Sequence, residues 1–179
     1  MPQEYRISVI TVNYNGIKDT CALLDCFTFD EQDMEVIVVD NGSKGNEAEL
    51  IARKYPKAKV IEAGKNLGFA GGNNVGIREA RGRLLLFVNN DAELCVSDIY
   101  HLAERIESSK EIGMVCPKIK FFFGDQKIQF AGFTALSPVT FRNKGIGYGE
   151  PDHGQYDCPC PTPYAHGAAM MVKKEAIDK

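Results

Sequence analysis

The chain has 179 residues, 44% of them apolar and 25% charged, with 17 glycines and a formal net charge of -3. That balance suits one α/β domain with a sizeable core and excludes disordered, collagen-like and coiled-coil chains. With no broad positive face and no apolar run near the ~20 residues that span a bilayer, neither a nucleic-acid partner nor a membrane-spanning segment is expected.

Short β-branched runs alternate with helical patterns from the start. Ile7 to Val12, Glu35 to Val39, Lys59 to Glu62, Leu84 to Val88 and Gly113 to Cys116 are predicted buried strands. Between them, Ile17, Cys21 and Leu24 recur at helical spacing, and Asn46 with Glu49 forms an N-cap pair for a helix that Pro56 stops. Ile99, Leu102, Ala103 and Ile106 predict a further helix capped by Ser97. This βαβα order requires a mostly parallel sheet covered on both faces, with ligands gathered outside the carboxyl ends of the strands.

Beyond Lys118 the pattern changes. Phe121-Phe122-Phe123, the turn Gly124-Asp125 and Ile128 to Phe130 predict an antiparallel hairpin. Ser137 to Pro163 is rich in proline and glycine without periodicity and is expected to be a long functional loop. Gly167 to Val172 returns to strand composition, and Lys173 to Asp178 begins a helix. Cys21, Cys26, Cys95, Cys116, Cys158 and Cys160 lack C-x-x-C spacing and are expected as buried free thiols, not as a zinc site or disulfide framework.

Three strand ends carry the chemistry. The first runs Thr11-Val12-Asn13-Tyr14-Asn15-Gly16, with small polar groups and an aromatic on which a base could stack. After the second come Asp40-Asn41-Gly42-Ser43, where a carboxylate can accept from a base imide or a ribose hydroxyl, or equally close an Asx turn in its own loop. The fourth delivers Asn89-Asn90-Asp91. One carboxylate between two amides suits Mg2+ or Mn2+ when phosphate oxygens and waters complete the octahedron, and here too an Asx turn is the structural alternative. Asn66-Leu67-Gly68-Phe69-Ala70-Gly71-Gly72-Asn73-Asn74 leads into a helix whose start can receive an anion, although neither dinucleotide nor P-loop spacing fits.

Taken together, Val38 to Ser43, Asn66 to Asn74 and Asn89 to Asp91 resemble, in order and spacing, the family 2 glycosyltransferases of GT-A fold, and within them the bacterial rhamnosyltransferase-like branch. The resemblance covers the whole chain. It implies a Rossmann-like, mostly parallel sheet with helices on both faces and a small antiparallel hairpin, forming one domain with a nucleotide-binding half (1–118) and the start of an acceptor half (119–179). It implies that Thr11, Asn13 and Tyr14 line the base pocket, that Asp40 contacts base or ribose, and that Asn66, Gly68 and Asn74 shape the nucleotide side. Asn89, Asn90 and Asp91 stand where the family has D-x-D, with Asp91 holding the metal and Asn89 replacing the first aspartate. His166, Gly167 and Ala168 resemble the segment beneath the sugar and acceptor.

The implied activity is inverting transfer of a sugar from a UDP- or dTDP-sugar to a saccharide or lipid-linked acceptor in surface polysaccharide synthesis. A cytoplasmic location at the inner face of a membrane goes with it, with peripheral membrane association through a part of the protein beyond Lys179. The catalytic general base is expected beyond Lys179 as well, because no carboxylate in the chain matches that role. Two rivals remain at this stage. A sugar nucleotidyltransferase would want a basic glycine-rich loop after the first strand, and a non-catalytic sugar-nucleotide or carbohydrate-binding module would use the same cleft without turnover.

Overall fold

The computed structural model describes residues 5–177. In chain order, β1 (Ile7–Asn13), α1 (Ile17–Asp25), β2 (Met34–Asp40), α2 (Glu47–Lys54), β3 (Lys59–Glu62), α3 (Gly68–Glu79), β4 (Leu84–Val88), α4 (Val96–Glu107) and β5 (Met114–Val115) realise the expected alternation. Then come β6 (Ile119–Lys120), β7 (Ile128–Phe130), β8 (Ala169–Lys173) and α5 (Lys174–Ile177). The main sheet has the order β3-β2-β1-β4-β8-β5, parallel through β3, β2, β1 and β4. β8 enters between β4 and β5 and runs antiparallel to both.

Both faces of this sheet are covered, which is why β1, β2 and β4 read as nearly unbroken apolar runs. On one face Val9, Val38 and Leu86 pack with Leu24 of α1, Ile51 of α2 and Ile99 and Ile106 of α4. On the other, Ile10, Ile37 and Phe87 meet Val75 and Ile77 of α3. α3 lies close because its facing residues are glycines: a methyl group added at Gly72 would sit 2.9 Å from Val12 Cγ1, and one at Gly76 would collide with Ile10 Cγ2. Two positions of the glycine run, Gly72 and Gly76, thus serve close packing against β1.

Two helix starts differ from expectation. Asn46 does precede α2, but its backbone is left-handed (φ 60°) and its side chain makes no capping bond. Ser97 lies inside α4; the cap position belongs to Cys95, whose N–H donates to Asp98 Oδ2 at 3.0 Å. The cysteines differ too: Cys95, Cys158 and Cys160 are exposed and Cys21, Cys26 and Cys116 half-buried, all six free. Local composition misled here, because Cys95 sits at a helix cap and Cys158 and Cys160 in a proline-rich loop. Burial pushes the Cys26 and Cys116 thiols up from their ordinary value.

The chain divides into two compact units. Residues 116–166 form the second, and the chain from Gly167 onward returns to the first. A cut after residue 118 therefore misses the return, which follows from β8 pairing with β4 and β5. Within the second unit β6 pairs antiparallel with β7. The expected hairpin is present, but its first strand is Ile119–Lys120, and Phe122 and Phe123 stand exposed at the turn.

No helix or strand is assigned between Ser137 and Pro163, yet the loop is tied down. The Ile128 N–H donates to Glu150 O at 2.9 Å, and Gly149 N–H returns a bond to Ile128 O at 2.8 Å. Lys118 Nζ binds Asp152 at 2.7 Å and Asp157 at 2.5 Å. Gly147 (φ +76°) is required where a methyl group would meet the Tyr156 ring at 2.9 Å.

Candidate functional site

At the carboxyl end of the parallel strands lies a cleft of ≈ 350 Å³ lined by Val12, Tyr14, Asn41, Asn66, Gly68, Phe69, Asn73, Val88, Asn89, Asn90 and Asp91. All of these belong to the first unit. Two half-exposed aromatic rings, Tyr14 and Phe69, provide stacking surfaces. The polar remainder is five asparagine amides, the Gly68 backbone and one carboxylate, Asp91.

Beneath the rim is a hydrogen-bonded hub. Asn13 is fully buried, and its Nδ2 donates to Asp40 Oδ1 and Glu47 Oε2, both at 2.8 Å, and to Ser43 Oγ at 3.1 Å. Its Oδ1 accepts from Thr20 Oγ1 at 2.6 Å, and that hydroxyl accepts from Asn90 Nδ2 at 3.0 Å. One relay therefore joins the ends of β1, β2 and β4 to the starts of α1 and α2. Buried polar groups this well satisfied fix their geometry, since breaking one bond leaves its partner desolvated and unpaired.

A second group of bonds shapes the start of α3. Asn41 Oδ1 accepts from Leu67 N–H at 2.9 Å, while its Nδ2 donates to Asn66 Oδ1 and Gly68 O, both at 3.2 Å. Asn66 Oδ1 also accepts from Gly68 N–H at 2.8 Å. Gly42 permits this approach: a methyl group there would lie 2.7 Å from Lys65 Cα. Gly68 holds φ +71° with open space where a side chain would stand, so a backbone-lined wall faces the cleft at the positive end of the α3 dipole.

Of the residues the sequence singled out, Tyr14, Asn66, Gly68, Asn89, Asn90 and Asp91 meet in the cleft. Thr11 and Asn13 do not: both are fully buried, because side chains alternate along a strand and Val12 is the one that lines the cavity. The Thr11 hydroxyl makes no hydrogen bond with any described residue. Asp40 is 5% exposed and absent from the lining; besides Asn13 it accepts from Ser43 N–H at 3.0 Å, the turn-closing bond that was the structural alternative for this residue. Asn74 is exposed on α3 outside the lining, and its neighbour Asn73 is the one helical phase presents.

Gly167 and Ala168 border the site. A methyl group at Gly167 would lie 3.9 Å from Phe69 Cζ, and Ala168 O accepts from Asn89 N–H at 2.9 Å. His166 belongs to the second unit, with its ring 5.0 Å from that of Phe130. Sequence reasoning missed Val12, Asn41, Phe69 and Asn73. Val12 differs from the predicted Thr11, and Asn73 from the predicted Asn74, by a single residue of phase.

The fold is that of the GT-A glycosyltransferases. The chain belongs to glycosyl transferase family 2, whose sequence pattern matches residues 8–179. It is 27% identical over 177 residues to the low-salt glycan biosynthesis hexosyltransferase Agl10 of Haloferax volcanii, covering 97% of this chain and 54% of that protein. The chain thus spans about half the length of that relative. The mannosyltransferase PcManGT from Pyrobaculum calidifontis, solved with GDP-Man and Mn2+, shares its fold with a TM-score of 0.63 at 20% identity, over 99% of this chain and 47% of that one. S. aureus TarS 1-349, solved with UDP-GlcNAc, aligns with a TM-score of 0.55 at 29% identity, over 64% of this chain and 34% of that one.

Among the described residues no cluster of three or more His, Cys, Asp or Glu could hold a metal ion. A divalent ion held jointly by protein and ligand asks for less. The Asp91 carboxylate is exposed on the cleft and makes no hydrogen bond or ion pair with any described residue, so the donor set fits one protein oxygen completed by phosphate and water.

Proposed function

We propose that this cleft binds the nucleoside diphosphate of a UDP- or dTDP-sugar, and that the protein transfers the sugar with inversion to a saccharide or lipid-linked acceptor. Surface polysaccharide synthesis in the manner of the rhamnosyltransferase-like branch, at the cytoplasmic face of a membrane, is the setting this reading adopts. The observation that carries it is the meeting of Tyr14, Asn66, Gly68 and Asp91 on one cleft at the carboxyl ends of parallel strands. Such strand ends are where open α/β sheets take nucleotides.

In this reading Tyr14 and Phe69 flank the base, and Asn66, Gly68 and Asn73 contact ribose and phosphate. Asp40, with its oxygens engaged by Asn13 and Ser43, offers base or ribose the lone pairs those bonds leave. Asn89 supplies an uncharged hydrogen bond to the ribose. Gly167 and Ala168 lie toward the sugar. A bound Mg2+ or Mn2+ would offset charge on the departing diphosphate. Asp91 would orient that ion, and the positive end of α3 adds to the same stabilisation.

A thermal-shift screen tests this. UDP- or dTDP-sugars with Mn2+ are expected to raise the melting temperature, as any ligand selective for the native state does. Free sugars raising it equally, with nucleotides inert, would favour a carbohydrate-binding module instead.

A further inference from the structure

The second unit contains its own pocket of ≈ 560 Å³, built from Gln129, Phe130, Phe133, Lys144, Tyr148 and His166. Phe130, 2% exposed, forms a fixed floor, with its ring 5.1 Å from Phe133 and 5.0 Å from His166. Tyr148 is 68% exposed, yet its ring is set edge-on against Phe121 at 5.5 Å. A large exposed ring held in one orientation loses little entropy on binding, and it presents an apolar face with a polar tip. Beside it, Gln129 offers both a donor and an acceptor.

An apolar face ringed by hydrogen-bonding groups is the complement of a pyranose, whose C–H face is apolar and whose rim is hydroxyl. The pocket also has a sign. No carboxylate lines it, and Glu150, the acid nearest Tyr148 in sequence, is engaged by the Tyr156 hydroxyl at 3.0 Å. Lys144 is held in place by its backbone, which exchanges bonds with Thr134 at 3.0 Å, while its ammonium makes no hydrogen bond or ion pair with any described residue. An uncompensated cation on an aromatic-walled cavity selects an anionic partner.

We propose that this pocket binds a saccharide unit bearing a negative charge, a carboxylate or a phosphate on the sugar, with Tyr148 stacking on the ring and Lys144 pairing with the anion. Its use as an acceptor site rests on the transferase reading above; the binding itself does not.

The test is titration of the chain with methyl glucuronide, glucose 6-phosphate and neutral methyl glucoside, followed by NMR shifts of pocket residues, with UDP titrated into the same samples. The two anionic sugars, which separate carboxylate from phosphate as the source of charge, are expected to bind about tenfold more tightly than the glucoside. Lys144→Gln should remove that difference and Lys144→Arg retain it. Tyr148→Ala should weaken all three sugars by about tenfold and leave UDP unaffected. Equal affinity for glucoside and glucuronide, indifference to Lys144→Gln, or shifts confined to the first unit would each overturn the proposal. A chain that binds the glucuronide but not UDP would uphold this pocket while removing the donor reading.

Discussion

Asn13 and Asp40 stand opposite one another in parallel register at the ends of β1 and β2, and the buried Asn13 amide donates to the Asp40 carboxylate at 2.8 Å. The same amide donates to Glu47, so two acids at the foot of the cleft share one neutral donor. Replacing Asn13 by Leu takes a donor from each, leaving Asp40 the Ser43 N–H alone, and should cost about 3 kcal/mol of stability by denaturant titration. Asn13→Asp should be worse at neutral pH, with part of the loss recovered on acidification, because three clustered carboxylates resist joint ionisation.

Asn41 latches the turn that opens α3 through bonds to Leu67, Asn66 and Gly68. Asn41→Leu is expected to free that turn: amide exchange at residues 66–68 should accelerate, and UDP affinity should fall about tenfold as the wall loses its preset shape. Unchanged exchange would show that the turn holds itself.

Gly76 and Gly68 separate the two uses of glycine in α3. Gly76→Ala drives a methyl group into Ile10 and should destabilise by ~1 to 3 kcal/mol with little direct effect on ligand affinity. Gly68→Ala meets open space but forces a left-handed residue, costing about 1 kcal/mol, and should weaken nucleotide binding because the methyl enters the cleft. Paired denaturation and binding measurements distinguish the two.

Acid sensitivity should trace to Glu107, which accepts from Arg6 at 2.7 Å and Arg83 at 2.8 Å and ties α4 to the residues before β1 and β4. The Arg6 hydrogen bond, with that of Arg83 and against partial burial, holds this carboxyl below its ordinary range. Folding therefore favours the ionised form, so the contribution is complete above the unfolded glutamate value of ~4.3. It is lost as pH falls through the lower folded value. Glu107→Gln should flatten the acid limb of the stability profile and cost no more than about 1 kcal/mol at neutral pH, the pair being partly exposed.

The central sheet was legible because parallel strands buried on both faces leave continuous β-branched runs, as Val36 to Val39 and Leu84 to Val88 do. Much of the cleft was legible too, since polar residues directly after such runs must emerge at the carboxyl edge. What escaped was phase. Whether Thr11 or Val12, Asn73 or Asn74, faces the cleft depends on one residue of register that a motif does not encode. The antiparallel seating of β8 depends on pairing across more than 80 positions, as Leu86 with Met171 shows, and local pattern is silent on that. In residues 116–166 the order comes from ties such as Lys118 with Asp152 and from backbone turns, which leave no periodic trace.

Calorimetric titration of UDP into the chain with and without Mn2+, repeated with Asp91→Asn, bears most directly on the donor site. Micromolar-range binding that strengthens about tenfold with Mn2+, and a loss of that increment in the variant while metal-free binding persists, is the expected result. Metal-independent binding identical in the two proteins, or no binding in either, would contradict it.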